Sequence, residues 1–158
     1  MIRRINNSDK KSLIKLFKEF HEFNNSNLVS DNLRPFHEYK DAESTFTKEA
    51  EEYINKEEFV VFVADINGQI VGYCAAKISN KPERVLNKEA YFEDWFVSEN
   101  YKGRGIGKEL FEALTTEVKK LGCTHIKLDA FTSNIKAIDY YHKDGFIDDT
   151  LVMYKNLI

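Results

Sequence analysis

Proline is nearly absent: Pro35 and Pro82 are the only two in 158 residues, and neither lies in a biased or repeated stretch. Without low-complexity, linker-like or repeated segments, a single domain over residues 1–158 is expected. A chain of that length can bury roughly 70% of its unfolded surface. Two cysteines cannot build a disulfide framework; Cys74 falls in an apolar run and Cys123 just after a helix stop, so both read as buried thiols of a reducing compartment. No apolar run approaches the roughly 20 residues of a membrane span. Met1 to Lys11 lacks the apolar core and small-residue cleavage site of a secretory signal. A soluble, cytoplasmic protein with no membrane partner is the expectation. The net charge of −3 advertises no nucleic-acid partner. His21, His37, His125 and His142 show no metal-ligand spacing with each other or with cysteine, and no metal is expected.

What is present is a clear alternation of patterns. Met1 to Ile5 reads as a first strand, followed by a helix capped by Ser8 or Asp9 whose Leu13, Leu16, Phe17, Phe20 and Phe23 keep helical spacing. Asn24 to Pro35 is polar and reads as a loop, and Ala42 to Asn55 as a second, charged helix. Phe59 to Ala64 and Ile70 to Ile78 are β-rich, and Asn67-Gly68 between them predicts a type I′ hairpin. Ala90 to Val97 is a further strand. Beyond a glycine loop, Ile106, Leu110, Leu114, Val118 and Leu121 mark a helix stopped by Gly122. Ile126 to Phe131 reads as a strand, Lys136 to Lys143 as a short helix, and Phe146 to Asn156 as closing strand material. The fold class is α/β in the broad sense, a mixed sheet with helices packed on it.

The glycine loop carries chemistry. Gly103, Gly105 and Gly107 alternate where a strand passes into a helix, so the backbone can approach a ligand without Cβ obstruction. The N–H groups and positive dipole of the helix start favour an anion, and phosphate is the usual guest. Lys102, Arg104 and Lys108 add positive charge. Two nucleotide motifs fail on register. A Walker loop needs glycine at Lys102 and Ser or Thr at Glu109, and a dinucleotide fingerprint needs glycine at Lys108.

The run Lys102-Gly103-Arg104-Gly105-Ile106-Gly107, preceded by an acidic-aromatic strand, resembles the coenzyme A signature Arg/Gln-x-x-Gly-x-Gly/Ala of the GNAT superfamily of N-acetyltransferases, with Lys102 in place of Arg or Gln. A second stretch, Asn134 to Phe146, resembles the family's Asn-x-x-Ala-x-x-x-Tyr-x-x-x-Gly-Phe. Both lie within Ala90 to Phe146 and in the family's order. The resemblance implies a mostly antiparallel mixed sheet with acetyl-coenzyme A in a cleft between splayed strands. It implies pyrophosphate on the main chain of Gly103 to Lys108 (with Ile106 among them), and pantetheine on the backbone of Trp95, Phe96 and Val97. Asn134 and Ala137 belong to the coenzyme side, with Asn134 also suited to cap its helix.

Neighbouring helical residues point about 100° apart, so only one of Tyr140 and Tyr141 can face the thioester. The spacing from Ala137 and to Gly145-Phe146 selects Tyr141, whose role in the family is general acid to the departing thiolate; Tyr140 reads as core. Amide formation needs a neutral amine, yet an amine near pKa 10 is protonated at pH 7. Of the two carboxylates in Tyr91-Phe92-Glu93-Asp94-Trp95-Phe96-Val97, Glu93 is the candidate base or amine-binding group, by resemblance to the polyamine branch. Strand alternation places it with Tyr91 and Trp95, and Asp94 with Phe92 and Phe96. Pairing of Glu93 or Asp94 with a nearby cation is the bland alternative. Glu19, Glu22, Asp31 and the run Glu49, Glu51, Glu52 are further anionic candidates for a cationic acceptor, though such runs usually mark solvated faces. Phe20, Phe23 and Trp95 are candidate apolar walls. The expected reaction is acetyl transfer from acetyl-coenzyme A to a primary amine of a polyamine- or aminoglycoside-like molecule. Transfer to a protein amine, or a non-catalytic acyl-coenzyme A module, are the alternatives, and a homodimer is expected by resemblance.

Overall fold

The computed structural model describes residues Met1–Ile158. Strand β1 (Ile2–Arg4) leads to α1 (Lys10–Asn27) and α2 (Ala42–Asn55). Then come β2 (Phe59–Ile66), β3 (Gln69–Asn80), β4 (Lys88–Val97), α3 (Ile106–Lys120), β5 (His125–Leu128) and α4 (Ile135–Lys143). The five strands lie in chain order, antiparallel except for the parallel β4–β5 pair. No helix is long and apolar enough to cross a membrane.

Alternation along the strands divides the core between the two faces of the sheet. Val61, Val63, Tyr73 and Ala75 pack under α1 and α2 with Leu13, Leu16, Phe17, Phe46 and Tyr53. Val60, Val71, Cys74 and Ala76 pack under α3 with Leu110, Phe111, Leu114 and Val118. The Asn67-Gly68 hairpin forms as expected, with φ of +53° and +84° and Ile66 paired to Gln69.

Several boundaries move. Asp9 stands at the N-cap of α1, one of the two expected positions, but makes no side-chain cap bond there. The capping box closes the 3-10 turn before it, where the Asn6 side chain accepts from Ser8 N and Asp9 accepts from Asn6 N. Asp9 is thus the far half of a capping box, buried and held by Arg3 at 2.7 Å. The same guanidinium reaches Asp65 at 2.9 Å, tying the first helical turn to the hairpin. Helix α1 runs through Asn24 to Asn27, because Asn27 Nδ2 bonds the carbonyl of Phe23 and Leu28 N closes the last turn on Asn24. Gly122, with φ of +81°, terminates α3 as expected. Leu121 is 43% exposed rather than on the buried stripe, since it is already the C-cap. Cys74 is buried, but Cys123 only partly so.

The expected closing strand does not form. Residues 147–158 have no regular structure, and β5 pairs on one side only. The aspartates at 148 and 149 break the apolar alternation, and the tail packs locally instead, with Tyr154 against Phe36 at 4.7 Å between ring centroids.

Candidate active site

The chain leaves β4 through a 3-10 turn, Glu99–Tyr101, and enters the glycine loop. Gly103 and Gly105 adopt φ of +75° and +82°, where a Cβ costs about 1–2 kcal/mol. Gly105 is the N-cap of α3. The N–H groups of Gly103, Arg104, Gly105, Ile106, Gly107 and Lys108 make no backbone hydrogen bond within the chain. They converge at the positive end of the α3 dipole, which is the geometry of a pyrophosphate cradle. The flanking cations are already engaged. Lys102 pairs with Glu99 and lies 4.0 Å from the Phe23 ring centroid, Arg104 donates to the carbonyl of Asn100 at 2.9 Å, and Lys108 pairs with Glu112 at 3.6 Å. What the loop leaves free for an anion is its main-chain donors.

Below the loop the sheet splays. The β4–β5 ladder runs from Glu89↔His125 to Phe92↔Leu128 and stops, while β4 stays paired to β3 as far as Gly72↔Val97. The β4 edge at Trp95, Phe96 and Val97 is therefore free of β5. Its outward main-chain groups face a cleft that an extended amide chain can enter as an added strand. Trp95 is fixed by a hydrogen bond from Nε1 to the carbonyl of Gly107, 3.0 Å, and by Phe111. Asn134 caps α4 by accepting from Ala137 N at 3.4 Å. That helix sets Tyr141 beside Trp95 and Phe146, with ring centroids at 6.1 and 5.6 Å. Burial, then Cys74 and Tyr140, pushes the Tyr141 phenol up to about 12, so it stays protonated. Tyr140 packs edge-on to Trp95 and Phe111, but it is only partly buried and sits at the margin of the core rather than in it as expected.

Strand alternation breaks at Glu93. Ala75 pairs with Asp94 and Ala76 with Phe92, leaving Glu93 as the extra residue of a bulge. One inserted residue shifts the side-chain period. Phe92, Trp95 and Val97 consequently share the α3 face, whereas Phe96 faces α1 and α2. The expected grouping of Glu93 with Trp95, and of Asp94 with Phe92, is therefore wrong. Glu93 stands at the opening of the β4–β5 gap, its carboxyl raised by burial and then by Asp94. Lys77 opposes that shift only from a distance, its ammonium lying over the Phe59 ring.

Asp94 points the other way, into a cavity of about 150 Å³ between α1 and α2. Its Oδ2 accepts from Tyr53 Oη at 2.9 Å. Burial drives the carboxyl up to about 6, and the Tyr53 bond holds it back. Glu49 lines the same cavity. Its carboxyl rises to about 7 through burial first, then the charges of Asp94 and Glu93. A larger groove of about 550 Å³ runs along the outer side of α1, past Glu19, Glu22 and Phe23 to the end of β4.

A family model described as the acetyltransferase (GNAT) family matches residues 17–146. The chain belongs to the GNAT family. Among its relatives, the spermine/spermidine N(1)-acetyltransferase of Bacillus subtilis is 36% identical over 81 residues, 50% of this chain and 53% of that protein. The chain thus spans about half the length of the curated relatives it matches. The BH1408 protein of Bacillus halodurans has a similar structure, with a TM-score of 0.79 at 22% identity over 99% of each chain. Aminoglycoside N-acetyltransferase AAC(6')-Iy in complex with CoA gives 0.71 at 20% identity, covering 100% of this chain and 95% of that one. At such identities the likeness establishes the fold alone.

Placed on this GNAT frame, the expected residues fall into two groups. Trp95 joins the loop to α4: its Nε1 bonds the carbonyl of Gly107 at 3.0 Å and its ring lies 6.1 Å from that of Tyr141, on the helix that Asn134 caps. Glu93 lies at the bulge of β4, next in the chain to Asp94, which lines the cavity under α1 and α2. Of the anionic candidates, Asp31, Glu51 and Glu52 pair with Arg34, Lys10 and Lys56 on the surface. Glu19 accepts from Ser98 Oγ and lines the larger groove. Only Glu49 of its run turns inward. Phe46, Ala50 and Tyr53 are the buried positions of α2, and Glu49 falls between them on the same stripe, a spacing from which its inward direction was readable. Tyr53 and Tyr73 gave no sequence signal beyond that of core aromatics.

Proposed function

We propose that this chain is an acetyl-coenzyme A-dependent N-acetyltransferase acting directly, in a ternary complex, on a primary amine of a small cationic molecule of polyamine or aminoglycoside type. The observation that carries this reading is that Trp95, on the free β4 edge, touches both the loop of six unpaired N–H groups at Gly103–Lys108 and the ring of Tyr141. The kinship with a spermine/spermidine acetyltransferase, over about half of each chain, and the carboxylates beyond the cleft support a cationic acceptor.

Glu93 takes a proton from the bound ammonium, and the neutral nitrogen attacks the thioester carbon. The C–N bond forms as the C–S bond breaks. Tyr141 gives its proton to the departing sulfur and regains one as the nitrogen sheds its second. The products are the amide, the free thiol and one released proton. A carboxyl raised above its ordinary value is a better base towards an amine, and a neutral phenol within reach is a suitable acid. Direct transfer is supported by Cys74. Cys74 is fully buried with its thiol pushed well up by burial, the reverse of an activated nucleophile.

Initial rates of thiol release with both substrates varied test the order of events. Intersecting double-reciprocal lines are expected. Parallel lines would signify an acetyl-enzyme and overturn direct transfer.

A further inference from the structure

The cavity under α1 and α2 holds more than a second carboxylate. Glu49 enters it from α2 and Asp94 from the bulged part of β4. Tyr73, with no exposed surface, also lines it, and its hydroxyl has no hydrogen-bond partner. Two carboxylates and an orphaned hydroxyl at one small cavity are costly as they stand. A buried hydroxyl without a partner is unfavourable, and like charges held out of water are more so unless a cation joins them. An alkylammonium carries three N–H donors. Glu49, Asp94 and the Tyr73 oxygen supply an acceptor for each, while the rings of Phe17, Phe20 and Tyr39 line the space around an alkyl stem or cation. His21, on the rim, is bonded to Asn25.

We propose that this cavity is a subsite for the second, non-reacting ammonium of a linear diamine, with Glu49 as the residue that makes the enzyme prefer diamines to monoamines. Glu93 does not line the cavity, but it adjoins Asp94 in the chain, so a molecule anchored here extends its other amine towards the bulge and the cleft. The inference rests on the acetyl-transfer reading for its substrate class, and it concerns binding, which can be measured without turnover.

Calorimetric titration of the coenzyme A complex with diaminobutane and with butylamine tests it, using wild type, Glu49→Gln and Tyr73→Phe. Wild type is expected to bind diaminobutane at least about tenfold more tightly than butylamine, because one ammonium engages a desolvated charge pair. Glu49→Gln is expected to abolish that ratio and Tyr73→Phe to reduce it. Melting curves for both variants report on folding. An unchanged ratio in Glu49→Gln overturns the subsite, and so does an equal loss of affinity for both ligands, which would place the reacting amine in the cavity. If the ratio behaves as expected but no amine releases thiol, the subsite stands and acetyl transfer falls. If both amines are acetylated alike, transfer stands and the subsite falls.

Discussion

Tyr53 on α2 donates a hydrogen bond to Asp94 on β4, 2.9 Å from Oη to Oδ2, joining the second helix to the strand that carries the candidate base. A hydrogen bond to the ionised form lowers a carboxyl's pKa, and here it moderates a shift caused mainly by burial. Tyr53→Phe should therefore raise the Asp94 midpoint further above about 6. Carboxyl chemical shifts followed through a pH titration read this directly. A midpoint that stays or falls would show that the bond does not govern Asp94.

Tyr141→Phe removes the proton donor while keeping the ring against Trp95 and Phe146. General acid catalysis contributes roughly 10²–10⁴-fold, so kcat should fall by about two orders of magnitude with coenzyme affinity nearly unchanged. An unaltered kcat takes Tyr141 out of the mechanism.

Gly105→Ala forces a Cβ onto a residue at φ +82°. Space is not the obstacle, since nothing lies within 4 Å of that Cβ. The backbone is, by about 1–2 kcal/mol. Relaxation towards negative φ would rotate the loop's N–H groups away from the pyrophosphate, weakening coenzyme binding by about tenfold or more. In Gly107→Ala the new methyl meets the Trp95 indole at an ordinary 3.5 Å, and the fold should tolerate it. Equal coenzyme affinity in wild type and Gly105→Ala would contradict the cradle.

The loop and α4 were legible because their chemistry is local. Positive-φ glycines, a helix cap and a tyrosine at fixed offset are properties of a dozen consecutive residues. Element positions from β2 to α4 followed for the same reason. Glu93's bulge was not legible, because it is defined by register against Ala75 and Ala76, about seventeen residues away in the chain. Once missed, it reversed the facing of Phe92 relative to Asp94. The Glu49–Asp94–Tyr73 group was hidden more deeply, since it brings together three elements that share no local pattern. At the C-terminus apolar content suggested a strand, but strand formation depends on a partner edge, and the tail's aromatic contact with Phe36 replaced it.

Stability should respond to pH in an unusual direction. Glu49 and Asp94 have carboxyls raised above their unfolded values, to about 7 and about 6. The folded state then binds more protons than the unfolded one between roughly pH 4 and 7, so stability declines as pH rises through that window. The melting temperature of the ligand-free protein should climb as pH is lowered from about 8 to about 5.5. Glu49→Gln should flatten that climb. At lower pH the trend reverses, because Asp9 and Asp65, held down by hydrogen bonds from Arg3, lose that pairing on protonation. A melting temperature that is flat or falling between about pH 8 and 5.5 would contradict the assignment of these two carboxyls.

The most direct test of the central claim is thiol release from acetyl-coenzyme A by the purified chain against a panel of primary amines, with mass spectrometry of the acceptor. The account predicts turnover with stoichiometric N-acetylation, highest for a linear diamine such as diaminobutane. Binding of acetyl-coenzyme A without turnover on any amine would contradict it.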